Sequence, residues 1–462
     1  MQDLTSLSVT EASRLLRSRA VSPAELTQAF LQKIEELNPQ LNAFITVTSE
    51  QAMEQAQTAE KEIEEGKWRG PLHGIPISLK DLIDVAGVPT TAASGQLLDN
   101  VATEDAELVR RLRLAGAVLL GKTNLHEFAY GGSTVVSYFG PTRNPWDLAR
   151  ITGGSSGGAA AAVAAGLCPA AIGSDTAGSI RMPAALCGVV GMKPTYGAVS
   201  THGVQALSWS YDTLGPITRT TADAALVLDA IAGYDERDMA SLLWPLNSFA
   251  AGTNRDLSKV RVGVPRAGFF DEIDPEVASA VEQALQTIVS FTAGLKDVTV
   301  PMDPDYTVHI CEAYICHSKW LAKSPDRYQP ETLRRVRSGE KVTLSDYIQK
   351  RRQLDHYRRA AVELAFHDVD VIVTPTAPIL PPEIGLLQQE LKELRRKETA
   401  LLRNTRPFNL LGVPAVSVPC GFSSAGLPIG LQIAARPGAD ALVLAMAERL
   451  EQQANCVKIA AL

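Results

Sequence analysis

Two short segments rich in glycine and serine are the places where side chains could do chemistry: TGGSSGG at 152–158 and DTAGS at 175–179. Glycine loses the most chain entropy on folding, so several glycines around Ser155 and Ser156 indicate an unusual loop or a close backbone approach. The alanine-rich stretch behind them predicts a helix, whose free N–H groups would favour negative charge beside both serines. Ser179 lies in a second small-residue turn, whose backbone N–H groups could point together at one oxygen, as an oxyanion hole requires.

A glycine-rich loop before a helix is also typical of phosphate binding. Neither the GxxxxGK[ST] pattern nor the GxGxxG pattern of nucleotide sites occurs here, which argues against that interpretation. A tight turn with serine caps and no chemistry is the alternative for one such loop taken alone. Two such loops that act in catalysis need a base.

Lys80 is the strongest candidate for that base. None of the nearest histidines, His73, His126 and His202, stands in a recognisable triad motif. Lys80 follows the apolar segment GIPIS, which would place its ammonium group in a dry interior, and desolvation favours the neutral amine. A neutral amine can accept a proton. The simpler alternative is a lysine that reaches the surface from the end of a strand.

The elements that must position these residues alternate along the chain. Apolar runs such as GIPISLK, AVLLGKT and AAIGSDT predict strands, and stretches such as EDAELVRRLRLAG predict helices between them. This alternation predicts an α/β sheet covered by helices. Residues 1–68 form a helical lead-in, and about 303–366 is the best candidate for a variable helical cap over the sheet.

Composition excludes several classes of protein. The chain has 462 residues, of which 45% are hydrophobic and 21% charged, and its formal net charge is -7. With no long basic run, this charge argues against a nucleic-acid partner. The six cysteines are scattered and lack metal-binding spacing, so neither a metal nor a cofactor is expected. The start lacks the pattern of a signal peptide, and no apolar run is long enough to span a bilayer, so we expect a cytoplasmic protein without a membrane partner.

Several segments closely resemble the amidase signature family of serine hydrolases: LHGIPISLKD, TGGSSGG and GSDTAGSIRMPAALCGVVGMKPT. FGPTRNPWD, DTLGP, VTPTAP and FNLLGVPA are supporting matches, and the resemblance covers nearly the whole chain. It implies an α/β fold with a large, mostly mixed central β-sheet that helices cover on both faces, in a single compact domain. The amidase signature core would occupy 69–235, and 236–462 would be the remainder of the same domain.

The resemblance also implies a catalytic triad. Matched by position, Ser179 is the nucleophile, Ser155 is the bridging serine that a cis peptide bond holds in the family, and Lys80 is the base. The implied oxyanion hole consists of the backbone N–H groups of Thr176, Ala177, Gly178 and Ser179. Three further residues are expected to support the loops, two of them as a buried pair of opposite charge: Ser156, Asp175 and Arg181.

The substrate pocket is expected to have aromatic walls, which would favour aryl or hydrophobic acyl groups. Core packing is the alternative role for every aromatic residue considered. The residues expected in these walls are Tyr130, Trp209, Tyr314 and Trp320.

The implied function is hydrolysis of the C–N bond of a linear, non-peptide amide through an acyl-enzyme, with aryl amides, carbamates and esters open to the same chemistry. A small-molecule amide would be the partner of a monomer or homodimer. One alternative is the glutamine-hydrolysing A subunit of a tRNA-dependent amidotransferase. Two departures count against it: Met182 replaces the glutamine usual there, and 333–347 lacks the usual arginine- and tyrosine-bearing pattern of that protein. The other alternative is an inactive binding protein on the same fold.

Overall fold

The computed structural model describes residues 3–243, 248–454, 456 and 458–460. Residues 1–2 of the predicted lead-in, and 244–247, 455, 457 and 461–462 of the predicted last segment, lie outside the described residues. Within the described ranges, we find no helix whose length and apolar character would let it cross a membrane.

The described residues form an eleven-stranded mixed β-sheet and a separate two-stranded one. The strands are β1 Phe44–Val47, β2 Pro76–Lys80, β3 Val118–Thr123, β4 Arg143–Asn144, β5 Asp147–Ile151, β6 Ala170–Asp175, β7 Val190–Lys193, β8 Thr213–Thr218, β9 Val262–Val264, β10 Leu295–Asp297, β11 Val371–Pro375, β12 Ala415–Phe422 and β13 Pro428–Ala435. Their order in the large sheet is β1-β3-β2-β6-β8-β7-β12-β13-β11-β9-β10, and β4 pairs with β5. Strand β2 runs parallel to both of its neighbours, β3 and β6.

Helices flank this sheet and complete the domain. The α-helices are α1 Val9–Arg17, α2 Pro23–Leu41, α3 Ser49–Glu64, α4 Glu107–Leu114, α5 Gly157–Ala164, α6 Arg181–Cys187, α7 Thr221–Ile231, α8 Pro275–Val289, α9 Thr307–Lys323, α10 Pro330–Arg337, α11 Leu344–Arg359, α12 Ala361–Ala365, α13 Ile384–Gln389, α14 Leu391–Leu402, α15 Arg406–Leu410 and α16 Asp440–Ala454. Short 3₁₀ helices occupy Leu4–Ser6, Glu127–Ala129, Pro325–Arg327 and Ser338–Lys341.

Helix α5 lies against the sheet and is buried along its whole length. Its glycine and alanine side chains are small, which lets the helix backbone approach its neighbours. A Cβ atom added at Gly158 would lie 2.4 Å from the Asn124 carbonyl oxygen and 2.5 Å from that of Ala43. The same small residues therefore set the position of the serine loop that precedes α5.

The predicted fold class is confirmed: a large mixed sheet with flanking helices forms one domain. Two strands lie where the sequence pattern did not predict them. Strand β1 lies inside the segment interpreted as a helical lead-in, at the edge of the large sheet. Strand β8 contains Gly215 and Pro216, two residues that weaken a strand pattern. The proposed cap at 303–366 contains helices α9 to α12.

Candidate active site

The candidate site lies at the carboxyl ends of the parallel strands β2 and β6. Lys80 is the last residue of β2, and Asp175 is the last residue of its neighbour β6. Ser179 lies in the connection from β6 to α6, and the Ser155 loop precedes α5. Loops that follow parallel strands meet at one edge of an α/β sheet, which is where such folds place their sites.

The Lys80 ammonium group is surrounded by serine hydroxyls. Its Nζ atom lies 2.6 Å from Ser155 Oγ, 2.9 Å from Ser156 Oγ and 2.9 Å from Ser174 Oγ. All four side chains are buried. The sequence analysis did not single out Ser174, although it lies inside the segment GSDTAGS. A hydroxyl one residue before Asp175 at the end of a predicted strand was the signal that could have found it.

Burial shifts the protonation of Lys80. Desolvation lowers its pKa to about 7, although the negative charges of Asp212 and then Asp175 act in the opposite direction. Among the described residues, no carboxylate forms a salt bridge with Lys80, so its charge is offset only at longer range. A substantial fraction of Lys80 is therefore a neutral amine near pH 7, the state that can accept a proton.

The loop that carries Ser155 is fixed from two sides. The peptide bond between Gly154 and Ser155 is cis, the geometry implied by the family resemblance. Thr134 Oγ1 donates a hydrogen bond to the Gly153 carbonyl oxygen at 2.8 Å, and the His126 N–H donates to that of Ser155 at 3.1 Å. These contacts hold the Ser155 hydroxyl against Lys80.

Ser156 links the two serine loops. Its hydroxyl donates to the Ser174 carbonyl oxygen at 3.1 Å, and its backbone N–H donates to the carbonyl oxygen of Ser179 at 3.2 Å. The Ser179 hydroxyl makes no hydrogen bond within the described part of the chain, and Ser179 lines a cavity. The contact between Lys80 and Ser155 is thus formed, and the role of Ser179 as nucleophile stays a prediction.

The turn at 176–179 offers backbone donors to the same cavity. The N–H groups of Thr176, Ala177 and Ser179 have no acceptor in the residues that the structure describes. The Gly178 N–H donates to Asp175 Oδ1 at 2.8 Å, which removes it from the predicted oxyanion hole because a buried carboxylate already occupies it.

Asp175 and Arg181 form a buried ion pair that organises this turn. Arg181 Nη2 lies 2.9 Å from Asp175 Oδ1, and both side chains are fully buried. Burial by itself would raise the pKa of Asp175, but the Arg181 guanidinium lowers that pKa to about 2. The remaining guanidinium donors bind partners far along the chain: the Thr405 carbonyl at 2.9 Å, Gln432 at 2.6 Å and Asn409 at 2.6 Å.

Gly178→Ala should abolish most of the activity. Gly178 has φ +133°, and a Cβ atom there would lie 1.9 Å from Thr405 Oγ1, which donates to the Ala177 carbonyl oxygen at 2.6 Å. The clash displaces the turn that holds the oxyanion donors, and losing one such donor costs about a hundredfold in kcat. Amide hydrolysis by the purified variant is the measurement.

Gly70→Ala is the matched control for that variant. Gly70 has φ +132°, but a Cβ atom there meets nothing within 4 Å, so it carries the backbone strain without the clash. Equal losses of activity in the two variants would show that backbone strain, rather than displacement of the turn, explains the effect.

A cavity of about 390 Å³ opens above Ser179. Tyr130 lines it, as predicted, together with apolar side chains that include Leu207, Ile310 and Leu402. Charged side chains that the sequence analysis did not select also line it, because their helices read as solvated faces: Arg334, Arg335, Arg395 and Glu398. Within the described ranges, no group of three or more histidine, cysteine or acidic side chains is arranged to hold a metal ion.

The other predicted pocket residues lie outside this cavity. Trp209 lines a smaller neighbouring cavity with Asp212 and is 45% exposed. Trp320 stacks on Phe128 with the ring centroids 5.4 Å apart. Tyr314 packs against Gly339 beneath the cap. Packing among cap helices explains the positions of these last two aromatics.

Comparison with known proteins identifies the family. The family model described as Amidase matches residues 25–444. The A subunit of glutamyl-tRNA(Gln) amidotransferase from Moorella thermoacetica is 40% identical over 477 residues, which cover 97% of each chain. The structure of the corresponding protein from Thermotoga maritima is 34% identical, with a TM-score of 0.81 over 100% of this chain and 98% of the other. Peptide amidase from Stenotrophomonas maltophilia is 31% identical, with a TM-score of 0.86 over 99% and 98%.

These relatives correct the prediction about partners. A small-molecule amide as the only partner, no nucleic acid, and a monomer or homodimer were expected, and this prediction is wrong. It is contradicted by relatives that are named as one subunit of an enzyme that is itself named for glutamyl-tRNA(Gln). Net charge misled because it averages over the whole chain and takes no account of surfaces that other subunits supply. The match over 25–444 and the similarity along nearly the full length show that this chain belongs to the amidase signature family.

Proposed function

We propose that the chain hydrolyses an amide C–N bond through an acyl-enzyme on Ser179. The observation that carries this proposal is the 2.6 Å contact between Lys80 Nζ and Ser155 Oγ. Neutral Lys80 takes the Ser155 proton as Ser155 takes that of Ser179, whose oxygen attacks the carbonyl carbon. The free N–H groups of the 176–179 turn stabilise the oxyanion. The proton returns to the departing amine as the C–N bond breaks, and water then releases the acid.

The glutamine side chain is the best-supported amide, which would make the chain the A subunit of an amidotransferase. The support is the 40% identity to the Moorella thermoacetica protein over nearly all of both chains. Met182, which counted against this role in the sequence, is fully buried in an apolar cluster with Val135 and Leu186 and does not line the cavity. Its difference from glutamine therefore makes no contact with a bound substrate.

A free-standing amidase is the second candidate. The observation that favours it is that Arg334, Arg335 and Ser338, in the segment where the sequence departs from the amidotransferase pattern, line the cavity. A changed wall indicates a changed substrate, since specificity comes from the contacts around the reacting bond. The similarity to peptide amidase agrees with this candidate.

One panel of substrates separates these candidates. The purified chain is assayed with anilides, primary amides, carbamates, esters and glutamine, and glutamine is assayed again with the other amidotransferase subunits of its source organism present. Glutaminase activity that requires the other subunits supports the amidotransferase role; turnover of other amides by the chain alone supports the amidase. Activity in neither arm would leave the inactive binding protein as the correct interpretation.

Ser179→Ala should reduce hydrolysis to background, because it removes the oxygen that forms the acyl-enzyme. Ser290→Ala, at an exposed position after helix α8, is the control and should retain full activity. Measurable turnover by Ser179→Ala at more than about a hundredth of the original rate would rule out this nucleophile.

The value of kcat/KM should rise with pH and level off above a midpoint near 7. Desolvation lowers the pKa of Lys80 to about 7, so the amine is protonated below that pH and cannot act as base. Well below the midpoint, the loss should be about tenfold per pH unit. Asp212→Asn removes the carboxylate that most raises this pKa, so the midpoint should move to lower pH. A midpoint near the ordinary lysine value would contradict the assignment.

A further inference from the structure

The cavity has a buried reactive end and a charged, open end. Ser179, at 4% exposure, lies at the buried end together with the 176–179 turn. The Arg334 and Arg395 side chains, 48% and 44% exposed, belong to the open end. A bound molecule that places its amide at Ser179 therefore extends its other end toward these two arginines.

The carboxylates beside these arginines are already engaged. Glu331, which is buried, accepts hydrogen bonds from Arg334 at 2.6 Å, from Arg395 at 2.8 Å and from Arg335 at 3.1 Å. Glu398, also buried, accepts one from Arg335 at 2.6 Å. Three arginines against two glutamates leave one net positive charge at this end of the cavity.

Donor groups at the open end remain free. Arg335 uses its third nitrogen, Nη1, on the Tyr130 carbonyl oxygen at 2.6 Å. The Nη1 groups of Arg334 and Arg395 have no acceptor in the part of the chain that the structure describes. His309, which also lines the cavity, is kept neutral, because burial and then the charges of Arg406 and Arg335 lower its pKa to about 3.

From this arrangement we infer a carboxylate subsite: Arg334 and Arg395 bind an anionic group at the end of the substrate remote from the amide that Ser179 attacks. This inference rests on the proposed amide hydrolysis and names its substrate class, an amide that also carries a carboxylate. Guanidinium groups bind carboxylates with paired, charge-assisted hydrogen bonds, and two free nitrogens on one rim match that geometry. The apolar walls between the ends accommodate a short methylene chain.

Binding to the Ser179→Ala variant tests the subsite without turnover. Glutaramate, which has an amide at one end and a carboxylate at the other, is titrated calorimetrically beside pentanamide, which has a methyl group in place of the carboxylate. Glutaramate should bind about tenfold or more tightly than pentanamide, since charge-assisted hydrogen bonds contribute at that level. Adding Arg395→Gln or Arg334→Gln should remove most of this preference and leave the affinity for pentanamide unchanged.

Arg396→Gln is the matched control. Arg396 follows Arg395 on helix α14, is 63% exposed, pairs with Glu393 and does not line the cavity. It should leave the preference for glutaramate intact, and the thermal unfolding midpoint of each variant checks the fold. Equal affinities for the two ligands, no binding of either, or a preference that survives both arginine substitutions would overturn the subsite. Failure of the proposed hydrolysis would be seen separately, as an unsubstituted chain that turns over no amide.

Discussion

Lys80→Ala should lower the rate of Ser179 acylation by about a thousandfold or more near neutral pH, because it removes the only group in the serine cluster that can take up the proton. Lys80 is fully buried and lies within hydrogen-bonding distance of three serine hydroxyls. Single-turnover hydrolysis of an amide that the unsubstituted chain accepts measures the effect. The thermal unfolding midpoint shows that the variant is folded.

Lys193→Ala is a demanding control for this prediction. Lys193 is likewise fully buried, and desolvation lowers its pKa to about 7. Its Nζ atom donates to the Pro194 carbonyl oxygen at 2.9 Å, and Lys193 does not line the cavity above Ser179. Both variants should lose stability by emptying a buried lysine site, but only Lys80→Ala should lose acylation. A modest loss in Lys80→Ala, or equal losses in both, would remove Lys80 from the role of base.

Asp175→Ala should lower the free energy of unfolding by about 3–5 kcal/mol, because it leaves the Arg181 guanidinium buried and unpaired. It also removes the acceptor of the Gly178 N–H, so the turn that holds Ser179 loses its anchor. Urea denaturation of the variant and the unsubstituted chain measures the change. Hydrolysis should fall together with stability.

A surface ion pair provides the comparison. Lys296 and Asp368 lie 2.5 Å apart, with 55% and 46% of their side chains exposed, so Asp368→Ala should change stability little. Because the Asp175 pKa is lowered to about 2, its contribution to stability is present above its unfolded-state pKa of about 4 and is lost as pH falls toward 2. Similar losses in both variants at neutral pH would contradict the structural role of the buried pair.

Local patterns predicted much of this protein. The alternation of apolar runs and helical stretches predicted the class of fold because strands and helices have different periods. The glycine and serine loops indicated the site for an equally local reason: backbone turns that approach other chain segments need small residues. Gly154 illustrates this, since a Cβ atom there would lie 2.7 Å from Thr134 Oγ1.

Contacts between distant segments were beyond that reach. The partners that hold Arg181, namely Thr405, Asn409 and Gln432, lie more than two hundred residues further along the chain. No periodicity links them to the serine loops. The aromatic side chains of the cap behaved similarly, because an aromatic ring has the same sequence signature whether it packs in a core or lines a cavity.

By itself, the sequence determined the α/β class, the amidase signature segments, and Lys80, Ser155 and Ser179 as the residues to consider. Only the tertiary structure decided that Ser174 is a third hydroxyl beside Lys80, that the Gly178 N–H is occupied by Asp175, and that arginines of α10 and α14 share the rim of one cavity. The physical reason is that chain conformation follows local residue preferences, whereas hydrogen-bond partners and net charge in a cavity depend on segments that only folding brings together.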